Sequence, residues 1–509
     1  MIPASVPAET FKQFQFQNRR NRMILWIALT AVIIQFVVFK WFYPYPNFLH
    51  KDSFIYMDIA HYNDPISSYP IGYPRFIRFF SVLTSSDLLL TGFQYLLLQG
   101  SALFMLFTLF YFFRPGKVVQ LLLIGFMVLN PLFLVLANTI SSDAYFLALS
   151  LAWFGLLLWI IHRPDTWFIV FHTIVLLLAF MTRYNALVYP TVAIIAFLLS
   201  RQPLMKKLTG IGAIVVVCGA FVLYTGCKFK ELTGTWQYTP AGSWLLADNA
   251  VRTYRWVDSA ARKPVPIKFK ELDNTIRKYF DSSRHSDSKL PMDLTLFMYP
   301  PDLFLKTYRD LRFKKDTVSS DLKKWAIVAP LYRDYSFYII RQYPKQYVQH
   351  YLWPGIGRYF APPVEKLATY NAGVDTITAT AKDWFGYSSN KVNTRTRNKL
   401  VTILNSCPVF SGVMNVMMLC SLVCFVIAGG FRKERQLRNA VLLAVTLWLL
   451  YAVLTIFTVW ANIRLTAFPL LLTVIFNLLL TDRLWHMGMR AEQQIELATS
   501  RAVFTTAEA

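Results

Sequence analysis

On either side of a polar stretch near its middle, the chain is written in runs of roughly 20 residues that carry almost no charge. No other feature limits its fold so tightly. About 20 apolar residues are needed to cross the hydrocarbon core of a bilayer, and in lipid a helix satisfies all of its own backbone N–H and C=O groups. Run length predicts spans over 23–43, 88–113, 118–138, 141–161, 166–182, 186–200, 209–227, 409–430, 439–460 and 464–481. The expected fold is an all-α polytopic membrane protein with about ten transmembrane helices. Two runs, 166–182 and 186–200, are short and separated only by Arg183, Tyr184 and Asn185, which predicts a tight helical hairpin. Aromatic residues crowd the run ends, as in Trp41-Phe42-Tyr43 and Tyr111-Phe112-Phe113, the belt pattern of membrane interfaces. The first run is too long for a signal-peptide core and has no small-residue cleavage site, so it reads as a retained span.

Lysine and arginine total 52 against 28 acidic residues, a net charge of +24. In a soluble chain that balance suggests nucleic acid. Here much of it lies in short segments between apolar runs: Arg19, Arg20 and Arg22, then Arg114 and Lys117, Arg163, Arg201, Lys206 and Lys207, Arg432 to Arg438, Arg483 and Arg490. The alternate short segments hold only Lys51, Arg75, Arg78, Arg183 and Arg464. Basic loops stay on the cytoplasmic side, beside anionic lipid, so the expectation is both termini cytoplasmic in the inner membrane, with no nucleic-acid partner. The chain then divides into a membrane module at 1–227 with an outer loop at 44–87, an outer segment at 228–406, membrane helices at 407–482 and a cytoplasmic tail at 483–509. At about 180 residues, the outer segment is too long for a plain connection and is expected to fold as a mixed or α domain. From Asp334 to Trp353 it alternates aromatic and polar residues, as helices lying in an interface do.

The chain has no phosphate-binding Gly-rich loop ending in Lys, no His-Glu-x-x-His helix and no Gly-x-Ser-x-Gly elbow. Its seven histidines are scattered. Carboxylates are nearly absent from span centres, against the pattern of ion-coupled transporters. What remains is a set of ionisable residues that this topology puts at one membrane face. They are Asp52 and Asp58 after the first span, Arg75 beyond them, Asp143 opening the fourth span, Arg183 in the hairpin and Arg464 opening the last span. Taken singly, each has a plainer role: Asp52 or Ser53 and Asp143 as helix caps, Arg183 and Arg464 as snorkelling residues. Taken together, carboxylates beside cations at a membrane surface suit attack on a lipid-linked phosphate ester, with one Asp as base and Arg on the departing phosphate.

Cys227 closes the seventh span and Cys407 precedes the eighth, which makes them a candidate disulfide stapling the large segment in an oxidising compartment. Cys218, Cys420 and Cys424 fall within apolar spans and read as small buried hydrophobes.

The pattern Asp52-Ser-x-x-Tyr56-x-x-x-Ala60, followed by Gly72-Tyr73-Pro74, resembles the first outer loop of GT-C superfamily glycosyltransferases. The protein O-mannosyltransferases and the lipid A aminoarabinose transferases are the nearest in kind. Ser142-Asp143-Ala144-Tyr145 resembles the acidic site of the family's second outer loop. Thr182-Arg183-Tyr184-Asn185-Ala186 and Arg464-x-x-x-x-Pro469 resemble two further features. Ile340-Arg341-Gln342-Tyr343-Pro344-x-x-Tyr347 is similar to an amphipathic segment of the outer region. Ser53 stands where the family carries a second acid, the spans are fewer than in larger members, and the Trp-Trp-Asp motif of oligosaccharyltransferases is absent.

The resemblance implies a GT-C-like bundle that moves a sugar from a polyprenyl-phosphate donor to a glycan, lipid or protein acceptor on the extracytoplasmic face, with inversion. By that match Asp52 is the base and Asp143 orients the acceptor or Asp52. Arg183 and Arg464 bind the donor phosphate, and Tyr56, Asp58, Tyr73, Arg75 and His350 are candidate donor or acceptor contacts. No metal ligand is assigned, a divalent ion bridging the carboxylates being the lesser alternative. The competing classes are a lipid-linked saccharide polymerase or ligase, and a flippase.

Overall fold

The computed structural model describes residues 9–49, 52–283, 304–396 and 399–507. Lys51, one of the outer-side bases counted above, lies outside the described residues. Among those described the chain is helical throughout, with isolated bridges in place of strands. Eight helices are long and apolar enough to cross a membrane: Arg19–Phe42, Asp87–Phe113, Lys117–Ala137, Ser142–His162, Leu204–Thr233, Thr402–Ile427, Arg435–Thr458 and Ile463–Gln494. The shorter apolar helices Thr166–Thr182 and Tyr184–Leu199 occupy the two short runs. The chain is therefore a multi-pass α-helical membrane protein.

Burial sorts these helices by position. Ser142–His162 is 94% buried over its most apolar window and forms the axis of the bundle, whereas Arg19–Phe42 is 11% buried and turns Trp26, Ile27, Val37 and Trp41 outward. A helix that is apolar all round and buried belongs at the centre, and one that is apolar all round and exposed belongs against lipid. The third run is broken into Lys117–Val128 and Pro131–Ala137. Asn130 caps the second piece by accepting from the Leu132 N–H at 3.0 Å, and Pro131 starts it where no amide hydrogen is needed.

Two expectations change. The last helix does not end near 481 but runs unbroken from Ile463 to Ala507, so the expected cytoplasmic tail at 483–509 is helical through Ala507. At 1.5 Å per residue this helix is about 70 Å long, roughly twice the hydrocarbon thickness. Cys420 and Cys424 are exposed on the outer surface of their helix rather than buried, because an apolar environment outside the bundle accepts them equally well; Cys218 is buried.

The segment 228–406 is α rather than mixed among its described residues. Helices Pro240–Tyr254, Lys270–Ser283, Phe304–Arg312 and Asp321–Gln342 share a second apolar core around Trp244, Tyr254, Ile276, Tyr332, Tyr335 and Ile339. Of the aromatic–polar stretch, Tyr335, Ile339 and Tyr343 pack on this core, while Tyr347 and Tyr351 cluster separately with Trp460.

At one end of the bundle, Glu9, Tyr111, Gly116, Arg163 and Asp482 are neighbours: Arg163 pairs with the Tyr111 hydroxyl, and Gly116 N–H donates to Asp482 at 3.1 Å. At the other end, the loops after the first, third, fifth and ninth runs come together.

Candidate functional site

The meeting of those loops begins with backbone. Asn47 N–H donates to Asn138 C=O at 2.7 Å and Ile140 N–H donates to Asn47 C=O at 3.0 Å, a short parallel bridge that ties the first loop to the start of the fourth span. Ser53 extends the tie. Its hydroxyl accepts from Leu49 N–H at 2.8 Å and donates to Ile140 C=O at 2.6 Å, and the residue is fully buried. Two small hydroxyl residues thus do structural work beside the acids. Ser53 anchors the loop, and Ser141 caps the helix Ser142–His162. Asp52 and Asp143 are left with their carboxylates turned toward charge.

Both carboxylates are buried, 7% and 2% exposed, and Arg464 lies between them. Its Nη1 donates to Asp52 Oδ2 at 3.1 Å, while Nε and Nη2 reach Asp143 Oδ2 at 2.9 and 2.8 Å. Arg183 pairs with Asp143 Oδ1, and Ser141 donates to Asp143 Oδ2 at 2.6 Å. Lys366 Nζ reaches Asp52 Oδ2 at 3.3 Å, and the Tyr69 hydroxyl donates to Asp52 Oδ1 at 3.1 Å. Burying charge is costly unless it is paired and hydrogen-bonded, and here every carboxylate oxygen has a partner. Burial pushes the Asp52 carboxyl up, but the Lys366 and Arg464 charges together outweigh it and hold the group below the usual carboxylate range. Asp52 is therefore ionised at neutral pH. Two carboxylates against Arg183, Arg464 and Lys366 leave this cluster with one net positive charge among the described residues.

Asp52, Arg183, Lys366 and Arg464 of the cluster line a cavity of about 270 Å³. Tyr56, Ser142 and Asn462 are among its other polar residues, and Leu187, Leu245, Leu454, Val459 and Leu465 among its apolar ones. The volume is close to the lower end of the roughly 300–1,000 Å³ typical of small-molecule sites.

The four residues singled out for chemistry therefore meet. Of the candidate contacts, Tyr56 lines the cavity and bonds Ser142 at 3.1 Å. Tyr73 lies beneath it, fully buried, donating to Gln94 at 2.9 Å; it supports the site and does not line it. Arg75 is turned back on its own loop, donating to Asp64 C=O at 3.0 Å, and neither it nor Asp58 lines the cavity. His350 is also absent from the lining: it stacks on Trp256 with ring centroids 4.4 Å apart. Cys227 and Cys407 are both free thiols. Cys227 is exposed on a helix that packs on Thr166–Thr182 and Tyr189–Leu199, whereas the helix bearing Cys407 packs on the last helix. Among the described residues, no group of three or more His, Cys, Asp and Glu could hold a metal ion.

Lys366, Tyr69, Asn462 and Ser141 are the residues that sequence reasoning missed. Tyr69 stands three residues before Gly72-Tyr73-Pro74 and Ser141 one before Ser142-Asp143, and neither carries a signal of its own. Lys366 had no local signal, being one lysine among many in the large segment and 314 positions from the carboxylate it meets. No family model, no curated protein and no solved structure matches the chain.

Proposed function

We propose that the chain is a membrane glycosyltransferase of GT-C type that moves a sugar from a polyprenyl-phosphate donor to an acceptor on the extracytoplasmic face of the inner membrane, with inversion. The observation that carries this reading is the convergence of Asp52 with Arg464 and Lys366 at a cavity that apolar side chains also line. A phosphate ester with a lipid tail needs both cations and hydrocarbon. The resemblance of the first-loop, second-loop and hairpin motifs to that superfamily supplies the reaction class. The distribution of basic residues supports the sidedness: the neighbourhood of Arg163 and Asp482 faces the cytoplasm and the Asp52 cluster faces outward.

Charge is conserved through the proposed step. A sugar phosphodiester carries one negative charge, which matches the cluster's one net positive charge. As the acceptor O–H or N–H gives its proton to Asp52, the acceptor atom bonds the anomeric carbon and the carbon–oxygen bond to phosphate breaks. Asp52 is then neutral and the cluster gains a positive charge, while the departing polyprenyl phosphate gains a negative one. Cations placed where charge develops stabilise that transition state more than the ground state.

The test is incubation of the purified protein with a panel of polyprenyl-phosphate sugars, following sugar release and the configuration of the product. Transfer from at least one donor, with inversion, is the expected result. No release from any member of the panel, by protein that binds polyprenyl phosphate, overturns the assignment.

A further inference from the structure

Lys366 reaches Asp52 from a turn that the chain holds in a costly conformation. Residues 361–367 read Ala-Pro-Pro-Val-Glu-Lys-Leu, and Glu365 has a φ of 47°. That is the left-handed region, which a residue with a Cβ enters only against steric opposition. Such strain persists where the surroundings over-determine it, and it clusters at ligand sites. Contacts to neighbouring segments hold it here. Arg358 ion-pairs with Glu365 Oε1, Asn462 Nδ2 donates to Glu365 Oε2 at 3.1 Å, and Ile463 N–H donates to Pro363 C=O at 3.0 Å. Arg358 is itself seated over the Trp460 ring, 4.9 Å from its centroid. Asn462 and Ile463 immediately precede Arg464, so the turn that carries Lys366 and the helix start that carries Arg464 are tied together.

Both cations rest on the same oxygen, Asp52 Oδ2. The Arg464 guanidinium also reaches Asp143 through two N–H groups, and the Lys366 ammonium carries three N–H donors, its side chain 22% exposed beside the cavity.

We propose that Glu365 is a positioning residue: by holding the left-handed turn it aims Lys366, whose ammonium, seated beside Asp52 at the cavity, also takes the lipid-linked phosphate. This rests on the donor reading above and adds to it a third phosphate-binding cation and the device that places it.

The test uses the full chain in nanodiscs and compares binding of a short polyprenyl phosphate with that of the uncharged polyprenol. Lys366→Met should weaken phosphate binding roughly tenfold, the scale of one charge-assisted hydrogen bond, and leave polyprenol binding unchanged. Lys366→Arg should recover most of the loss. Glu365→Gln should weaken phosphate binding several-fold in the wild-type background and not at all in the Lys366→Met background, because residues acting through one another are not additive. Arg358→Gln, which removes the other half of the ion pair, serves the same cycle if Glu365→Gln does not fold. Equal weakening by the Glu365 change in both backgrounds overturns its role while leaving the phosphate site standing. A wild-type protein with no preference for polyprenyl phosphate over polyprenol removes the phosphate site itself, and the glycosyl-transfer reading with it.

Discussion

Asp52 and Asp143 are available for chemistry because Ser53 and Ser141 take over the structural duties beside them. Ser53→Ala removes two buried hydrogen bonds and should destabilise the fold by about 1–3 kcal/mol, read by thermal unfolding in detergent. Arg464 bridges two carboxylates with three different nitrogens, a geometry the lysine ammonium cannot copy. Arg464→Lys should therefore raise the donor KM roughly tenfold or more even though charge is retained, a loss measured by donor titration. Because the Asp52 carboxyl is held below its ordinary range, its ion pairs stabilise the folded state at neutral pH, and that contribution is lost as pH falls through the lowered value. The stability gap between wild type and Asp52→Asn should be constant near neutrality and close on acidification below about pH 4; a gap independent of pH would show that Asp52 is not held ionised. At this scale the sequence was legible wherever topology constrained it. Asp143, Arg183 and Arg464 each adjoin a span end and Asp52 lies in the loop after the first span, and one topology put all four at one end of the bundle. Lys366 adjoins no span end. His350 lies in a segment whose alternation marks a packed face without saying what that face meets, and it meets Trp256.

Among the elements, the helices were the most legible part, because an uncharged run of membrane length has few other fates. Their interruptions were less so. The Asn130-Pro131 break is local capping chemistry inside an otherwise continuous apolar run, and the helical extension to Ala507 is polar and carries no span signal. One packing requirement follows from the short helix Gly72–Leu83. A Cβ at Gly72 would stand 2.7 Å from the backbone carbon of Met181, next to the hairpin that presents Arg183. Backbone cannot step aside as a flexible side chain can, so Gly72→Ala should destabilise the protein by about 1–3 kcal/mol and disturb Arg183. A matched loss of thermal stability and of polyprenyl phosphate binding checks this; full retention of both would show that the close approach has no consequence. The large segment's helices were only partly foreseen, since their periodicity is that of any amphipathic helix and their shared core is long-range.

For the molecule as a whole, the structure brings the loops of one end together around a buried, net-positive cluster, and the basic residues of the short loops divide between the two ends. If the proposed sidedness holds, a cysteine replacing Val318, which is 93% exposed, should react with an impermeant maleimide on intact spheroplasts in a background without native cysteines, and one replacing Arg201 should react only after lysis. The reverse pattern would invert the topology. The account depends most on the assignment of Asp52 as the base that lets an acceptor take a lipid-linked sugar. The direct measurement is transfer from a donor labelled in its sugar, by wild type and by Asp52→Asn, with polyprenyl phosphate binding followed in parallel. The predicted result is inverted product from wild type, and turnover lowered on the order of 10²–10⁴-fold in Asp52→Asn with lipid phosphate still bound. Wild-type turnover in Asp52→Asn would contradict it.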